Sequence, residues 1–283
     1  MDLSAAVTIQ RPGAAPLDIN SLRDPETIGS APASGYLIEQ VDFSSVSINA
    51  FTEDVPLVDG VDSFDPYLSA RTISVSLSVY GSSYADFWDK ITALNAALQA
   101  QPKAADTSTY AALGVDGRRK LSFSQPKAGG TYSLYMMVRP MALPRFVTDG
   151  SSAAGDSTRG YSVRCSVSLM AEDPYKYFAT DTTVSRVGSG TLSVVNTGTT
   201  IAWPTVTWNV TSSSTVSVTL GSDTVEHTAA TSNVTDTFKS AASTSSSTLT
   251  GYEFFSIPPG TSSVTVVGQA GQTVSITITE AIL

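Results

Sequence analysis

From Arg71 to Gly81 polar and apolar residues alternate without a break. Ile73, Val75, Leu77 and Val79 stand on one face, and Thr72, Ser74, Ser76 and Ser78 on the other. Successive side chains of a strand point to opposite faces, so the pattern predicts a half-buried antiparallel strand. Directly afterwards the period changes. In GSSYADFWDKITALNAALQAQP, Phe87, Trp88, Ile91, Leu94 and Leu98 recur at helical spacing and predict an amphipathic helix. Ser83 with Asp86 three residues on marks its start, a capping box with Asp in place of Glu. Pro102 marks its stop. RKLSFSQ, GTYSLYMMVRPM and YSVRCSVSLM return to strand periodicity. In the last of these Val163, Cys165, Val167 and Leu169 share a face, so Cys165 reads as a small buried apolar group rather than a reactive thiol.

That strand pattern ends abruptly at AEDPYKYF. Pro174 has no backbone donor and holds Asp173 away from helical geometry, so the strand cannot run on. Near Asp181 the composition changes. Beyond it the charged side chains are Asp181, Arg186, Asp223, Glu226, Asp236, Lys239, Glu253 and Glu280, in a background of Ser, Thr, Val and Gly. Such a background favours short strands and turns. TLSVVNTG, TVTWNV, STVSVTLG, SSVTVVG and TVSITITEAIL are the strand candidates. Their spacing predicts a sandwich or jelly roll, and KSAASTSSSTLTG reads as an exposed low-complexity loop. The expected architecture is mainly β. An N-terminal antiparallel sheet or sandwich domain with one helix occupies residues 1–179, and a C-terminal β-sandwich residues 180–283.

Length agrees: 283 residues suggest roughly two domains at about 150 residues each. One cysteine excludes an internal disulfide framework and fits a reducing compartment. MDLSAAVTIQRPG lacks the basic and apolar regions of a signal peptide, and no stretch approaches the roughly 20 apolar residues of a membrane span. A net charge of −9 argues against sequence-specific nucleic-acid binding, which needs clustered Lys and Arg. The one basic run, Arg118-Arg119-Lys120, follows a Gly-rich turn and reads as solvated.

Catalytic chemistry finds little support. His227 is the single histidine, too few for a histidine-based metal site or a Ser-His-Asp arrangement. Glu226 and His227 are neighbours on a strand and point apart. The acids of EDVPLVDGVDSFDPYLSAR, among them Glu53, Asp54, Asp59, Asp62 and Asp65, lie in Pro/Gly-rich loop sequence without a calcium-loop pattern. Glu172 and Asp173 form the remaining carboxylate pair. No phosphate-binding glycine motif or nucleophile elbow is present. Neither a catalytic, a cofactor-binding nor a metal-binding residue is expected.

Taken in order, several segments resemble one family. They are the VDG loop, ARTISVSLSVYG, a helix ending in LNAAL, RRKLSFS and MAEDPYKYF, followed by IAWPTVTW and FFSIPPGTSSVTVVG. The series is similar to the distal tail proteins of long, non-contractile-tailed bacteriophages. The acid-Pro-aromatic run that closes that family's first domain is matched by Asp173, Pro174, Tyr175 and Tyr177. The resemblance implies a virion structural protein of the tail tip, made in the cytoplasm of the bacterial host. It implies a homo-oligomeric ring, commonly a hexamer, whose N-terminal domains line a channel that DNA passes. The ring joins the tail tube protein to the tail-tip hub protein and anchors receptor-binding components, while the C-terminal sandwich, galectin-like in that family, projects outward. The scarcity of charge and aromatics in the second domain departs from a sugar-binding pattern. A carbohydrate-binding module or adhesin, and a tail tube protein, are the alternative readings.

Overall fold

The computed structural model of the chain describes residues 3–11, 13–23, 33–49, 52–54, 61–63, 67–99, 118–147, 160–210, 215–228, 234–239, 249–250 and 255–283. Asp59, Asp65, the Gly114–Gly117 turn and the Ser/Thr-rich run 240–248 lie outside the described residues. The chain divides into two compact units, Met1–Pro174 and Tyr175–Leu283.

The first unit contains β1 (Thr8–Gln10), β2 (Leu17–Asp18), β3 (Gly35–Phe43), β4 (Ile48–Asn49), β5 (Thr52–Asp54), β6 (Val61–Ser63), β7 (Tyr67–Leu68), β8 (Arg71–Gly81), α1 (Tyr84–Leu98), β9 (Arg119–Lys127), β10 (Gly130–Pro140), β11 (Arg145–Val147) and β12 (Tyr161–Ala171). Its main sheet is antiparallel in the order β2-β1-β9-β10-β12-β8-β3, with β11 on β12. β4 with β7, and β5 with β6, make two small ladders. The alternation in β8 sets its register. Ile73, Val75, Leu77 and Val79 lie opposite Leu169, Val167, Cys165 and Val163, and all eight are buried. Leu121, Phe123, Leu134, Met136 and Val138 of β9 and β10 are buried as well. Each such side chain contributes roughly 1.5–3 kcal/mol by leaving water.

Helix α1 begins as its sequence requires. The Ser83 hydroxyl accepts from the Asp86 N–H at 3.2 Å. The Asp86 carboxylate reaches back to the N–H and hydroxyl of Ser82, at 2.8 and 3.0 Å, one residue beyond the usual reciprocal bond. Ile91, Leu94 and Leu98 are buried, while Trp88 is 48% exposed. The apolar stripe is thus narrower than its spacing suggested. Gly81 makes the strand-to-helix turn possible, because a Cβ there would lie 2.4 Å from the Phe87 Cα.

The basic run is not a solvated turn. Arg119 opens β9 on the same face as Leu121 and Phe123, and it is fully buried. Its Nε donates to the Ala97 carbonyl at 2.9 Å, its Nη2 to Gln99 at 2.9 Å and its Nη1 to Arg118 at 3.1 Å. The guanidinium therefore satisfies carbonyls that the end of α1 leaves open and places a cation at the negative pole of the helix. Lys120 lies 4.4 Å from the centre of the Tyr135 ring.

The second unit contains β13 (Lys176–Phe178), β14 (Thr182–Val187), β15 (Gly190–Asn196), β16 (Thr205–Val210), β17 (Thr215–Leu220), β18 (Asp223–Thr228), β19 (Val234–Lys239), β20 (Leu249–Thr250), β21 (Gly260–Val267), β22 (Thr273–Ile278) and β23 (Ala281–Ile282). Two antiparallel sheets, β14-β22-β16-β19 and β15-β21-β17-β18-β20, share one apolar core. Val206, Trp208, Val274, Ile276 and Ile278 of the first sheet meet Leu192, Val194, Val216, Val218, Val225, Val264 and Val266 of the second. This is a β-sandwich, as the composition predicted. Its poverty in charge has a local explanation: hydroxyls pair with hydroxyls across strands. Thr183 bonds Thr277 at 2.9 Å and Ser185 bonds Ser275 at 2.8 Å, cross-strand pairs that stabilise a sheet without ions. Gly221, at φ 63°, supplies the left-handed residue of the two-residue β17–β18 turn. The protein is mainly β, with one helix among the described residues.

Candidate functional site

The segment singled out by the sequence begins where β12 ends. β12 pairs with β8 along all its length, down to Ala171 opposite Arg71. Glu172 follows, exposed, and is held by two arginines. Arg139 Nη2 lies 3.1 Å from its Oε1, and Arg118 Nη2 lies 3.3 Å from its Oε2. The carboxylate is thus an acceptor in two ion pairs. Asp173 is half-buried and Pro174 buried, and the chain leaves the sheet there.

Tyr175 opens the second unit. In β13, Lys176 pairs with Ile282 and Tyr177 with Ala281, so the aromatic run is joined to the last strand, β23. Beside this ladder sits a side chain that the sequence reading passed over. Glu280 is 3% exposed. Its carboxylate accepts from the Thr197 N–H at 2.6 Å and from the hydroxyls of Thr197 and Thr182. The Glu280 carbonyl accepts from the Phe178 N–H at 2.9 Å. One buried acid thus ties β14, the Thr197 turn and the C-terminal strand together. A lone Glu inside TVSITITEAIL was the available signal, since an unpaired acid in an apolar run must find donors.

Three further features of the first unit bear on recognition. Tyr84, 62% exposed, and Trp88 gather with Phe87 and Tyr161, at ring separations of 5.7 to 6.1 Å. An open cleft of about 700 Å³ runs between α1 and the β10–β11 connection, lined by Thr92, Asn95, Ala96, Gln99, Leu143, Pro144 and Phe146. Among the described residues its lining carries no ionisable group. Arg71 at the start of β8 is 7% exposed, and its Nε has no hydrogen-bond partner. Burial pushes its pKa down.

Other buried groups are quiet. Burial raises the Cys165 thiol to about 12, which makes it inert at neutral pH. Tyr36 is raised to about 12 by burial and by the Asp86 carboxylate, and its hydroxyl donates to the Lys90 carbonyl at 2.7 Å. Asp86 itself is lowered: burial opposes ionisation, but bonds from Ser34 and Ser82 and the Lys90 charge outweigh it. Among the described residues no group of His, Cys, Asp and Glu could hold a metal ion. No described helix is long and apolar enough to cross a membrane. In the second unit Trp208 is buried and Trp203, which precedes β16, is 54% exposed.

With this geometry the chain can be set beside solved structures. It shares its fold with the Dit (gp 19.1) protein of phage SPP1, described as a paradigm of the hub adsorption apparatus in phages that infect Gram-positive hosts. The TM-score is 0.62 and the identity 16%, over 99% of this chain and 100% of that one. The two proteins therefore share one fold along nearly all of both chains. A chain of the phage p2 baseplate in its activated conformation gives a TM-score of 0.47 at 8% identity, covering 96% and 97%; that likeness is too weak to bear on the fold. No family model matches the sequence, and no curated protein matches it.

Proposed function

We propose that this chain is a virion structural protein of the siphophage tail tip, a distal tail protein. The observation that carries the reading is full-length agreement in fold with the SPP1 Dit protein, at 99% and 100% coverage. The ordered motifs around Asp173, Pro174, Tyr175 and Tyr177 support it from the sequence side. In this reading the first unit forms the wall of a homo-oligomeric ring, about six copies round. The ring joins the tail tube to the tail-tip hub. The second unit stands on the outside and anchors receptor-binding components. The acidic balance of the chain suits a channel that DNA must traverse without sticking. The role is architectural, and the segment 173–177 serves as the junction between the two units.

Location separates this reading from a tube protein. Antibody against the chain, applied to virions that carry it, should mark one end of the tail in electron micrographs. Label along the whole tail, or none on intact or tip-disrupted virions, would refute it. A glycan-binding module draws on one observation, the exposed Trp203, since aromatic faces stack on sugars. Binding of the full chain to a glycan array, abolished by Trp203→Ala, would establish that second reading.

A further inference from the structure

We propose that the exposed face of α1 and the cleft beside it bind a neutral oligosaccharide. The inference goes beyond the architectural reading and does not depend on it. Its starting point is a stripe along one helix. Tyr84, Trp88, Thr92, Asn95 and Gln99 follow one another at intervals of four, four, three and four residues, so they share one face. The core does not use this face. Ile91, Leu94 and Leu98 are buried, whereas Tyr84, Trp88, Thr92 and Gln99 are exposed and Asn95 is half-buried. Two kinds of chemistry divide the stripe. Its beginning presents the rings of Tyr84 and Trp88, with centroids 6.1 Å apart. Tyr161 packs against Tyr84 at 5.7 Å and Phe87 against Trp88 at 5.9 Å, which holds both rings in place. Its later turns present the hydroxyl of Thr92 and the amides of Asn95 and Gln99 to the cleft, with Leu143 and Phe146 across from them. At 1.5 Å per residue the stripe runs about 22 Å.

These properties name the ligand. The cleft, at about 700 Å³, has the size of a small-ligand site. Among the described residues its lining has no ionisable group, so nothing there compensates a charged ligand. Each amide both donates and accepts, and so does the hydroxyl, which suits a ligand whose own groups do both. The aliphatic and aromatic wall, with two more rings beyond it, calls for apolar surface on the same ligand. A sugar ring carries both: a rim of hydroxyls around flat C–H faces that lie on aromatic rings. A lipid chain would leave the amides unmatched, and a phosphate would meet no cation in the lining. A stripe longer than one sugar ring is suited to a chain of them.

The test applies the full chain to an array of neutral and acidic oligosaccharides. The neutral one bound most strongly is then titrated calorimetrically into the wild type, Trp88→Ala, Asn95→Ala and Trp203→Ala. The wild type and Trp203→Ala should bind alike, while Trp88→Ala and Asn95→Ala bind at least about tenfold more weakly. Melting temperatures should hold, since neither side chain belongs to the core. Where either variant melts lower, Gln99→Ala repeats the test at an exposed position. The sugar should also shift the tryptophan emission of Trp203→Ala, in which Trp88 is the exposed indole and Trp208 the buried one. Unchanged affinity in Trp88→Ala and Asn95→Ala would overturn the site. So would binding that only Trp203→Ala abolishes, which would place the glycan on the second unit. Binding of acidic glycans alone, or of none, would overturn it as well and leave the architectural reading intact.

Discussion

Arg119→Met removes the guanidinium at the end of α1 and keeps an aliphatic stem in its place. Three hydrogen bonds disappear, to Ala97, Gln99 and Arg118. Bonds from a charged donor contribute about 1.5 kcal/mol each at the lower end. Their loss leaves carbonyls at a helix terminus without partners and removes a favourable charge from its negative pole. Relief from burying the cation offsets part of this. The net cost comes to about 3 kcal/mol. For a unit of this size each kcal/mol moves the midpoint by about 2–4 °C. Calorimetry should therefore show the first unit melting about 9 °C lower, with loss of helical ellipticity in the same step. Arg119→Lys should fall between, because one ammonium cannot reach all three carbonyls. An Arg119→Met chain melting within about 2 °C of the wild type would refute the cap.

The two tryptophans of the sandwich should behave oppositely: Trp208→Ala should cost about 3–5 kcal/mol in urea unfolding, and Trp203→Ala almost nothing. Comparable costs for the two would contradict the placement of Trp208 in the core. Alkaline stability follows from Cys165 and Tyr36. Both have folded pKa values raised to about 12, from ordinary values of 9.0 for the thiol and 10.0 for the phenol. The folded state thus holds these protons more tightly than the unfolded chain does. Their contribution is complete below pH 9 and is lost as pH rises toward 12. Melting temperature should fall through that window, and Cys165→Ala should flatten the first part of the fall. A thiol reagent should label Cys165 at pH 8 only after unfolding; rapid labelling of the native chain would contradict its burial.

What could be read in advance was local. The period-two run of β8 specifies a strand because it has one dry and one wet face. Ser83 and Asp86 specify a helix start because unsatisfied N–H groups need acceptors within three residues. The Ser/Thr/Val texture after Asp181 specifies short strands because β-branched residues fit a pleated surface. What escaped depends on distant partners. Arg119 finds the end of a helix about 20 residues earlier in the chain. Glu280 finds Thr197 and Thr182, 83 and 98 residues away. Even so, Arg119 alternates with Leu121 and Phe123, and that spacing alone pointed to the core. Trp88 shows the reverse failure: helical spacing places it at the edge of the apolar stripe, and only packing decides which side of that edge is dry. The paired acids Glu172 and Asp173 suggested chemistry because a sequence cannot reveal two arginines converging on one carboxylate.

The central claim is that copies of this chain close on themselves. Native mass measurement and negative-stain imaging of the purified full-length protein test it most directly. The account predicts a closed ring of about six copies with an open centre. A monodisperse monomer that persists at high concentration and in the presence of the tail-tip hub protein would contradict it.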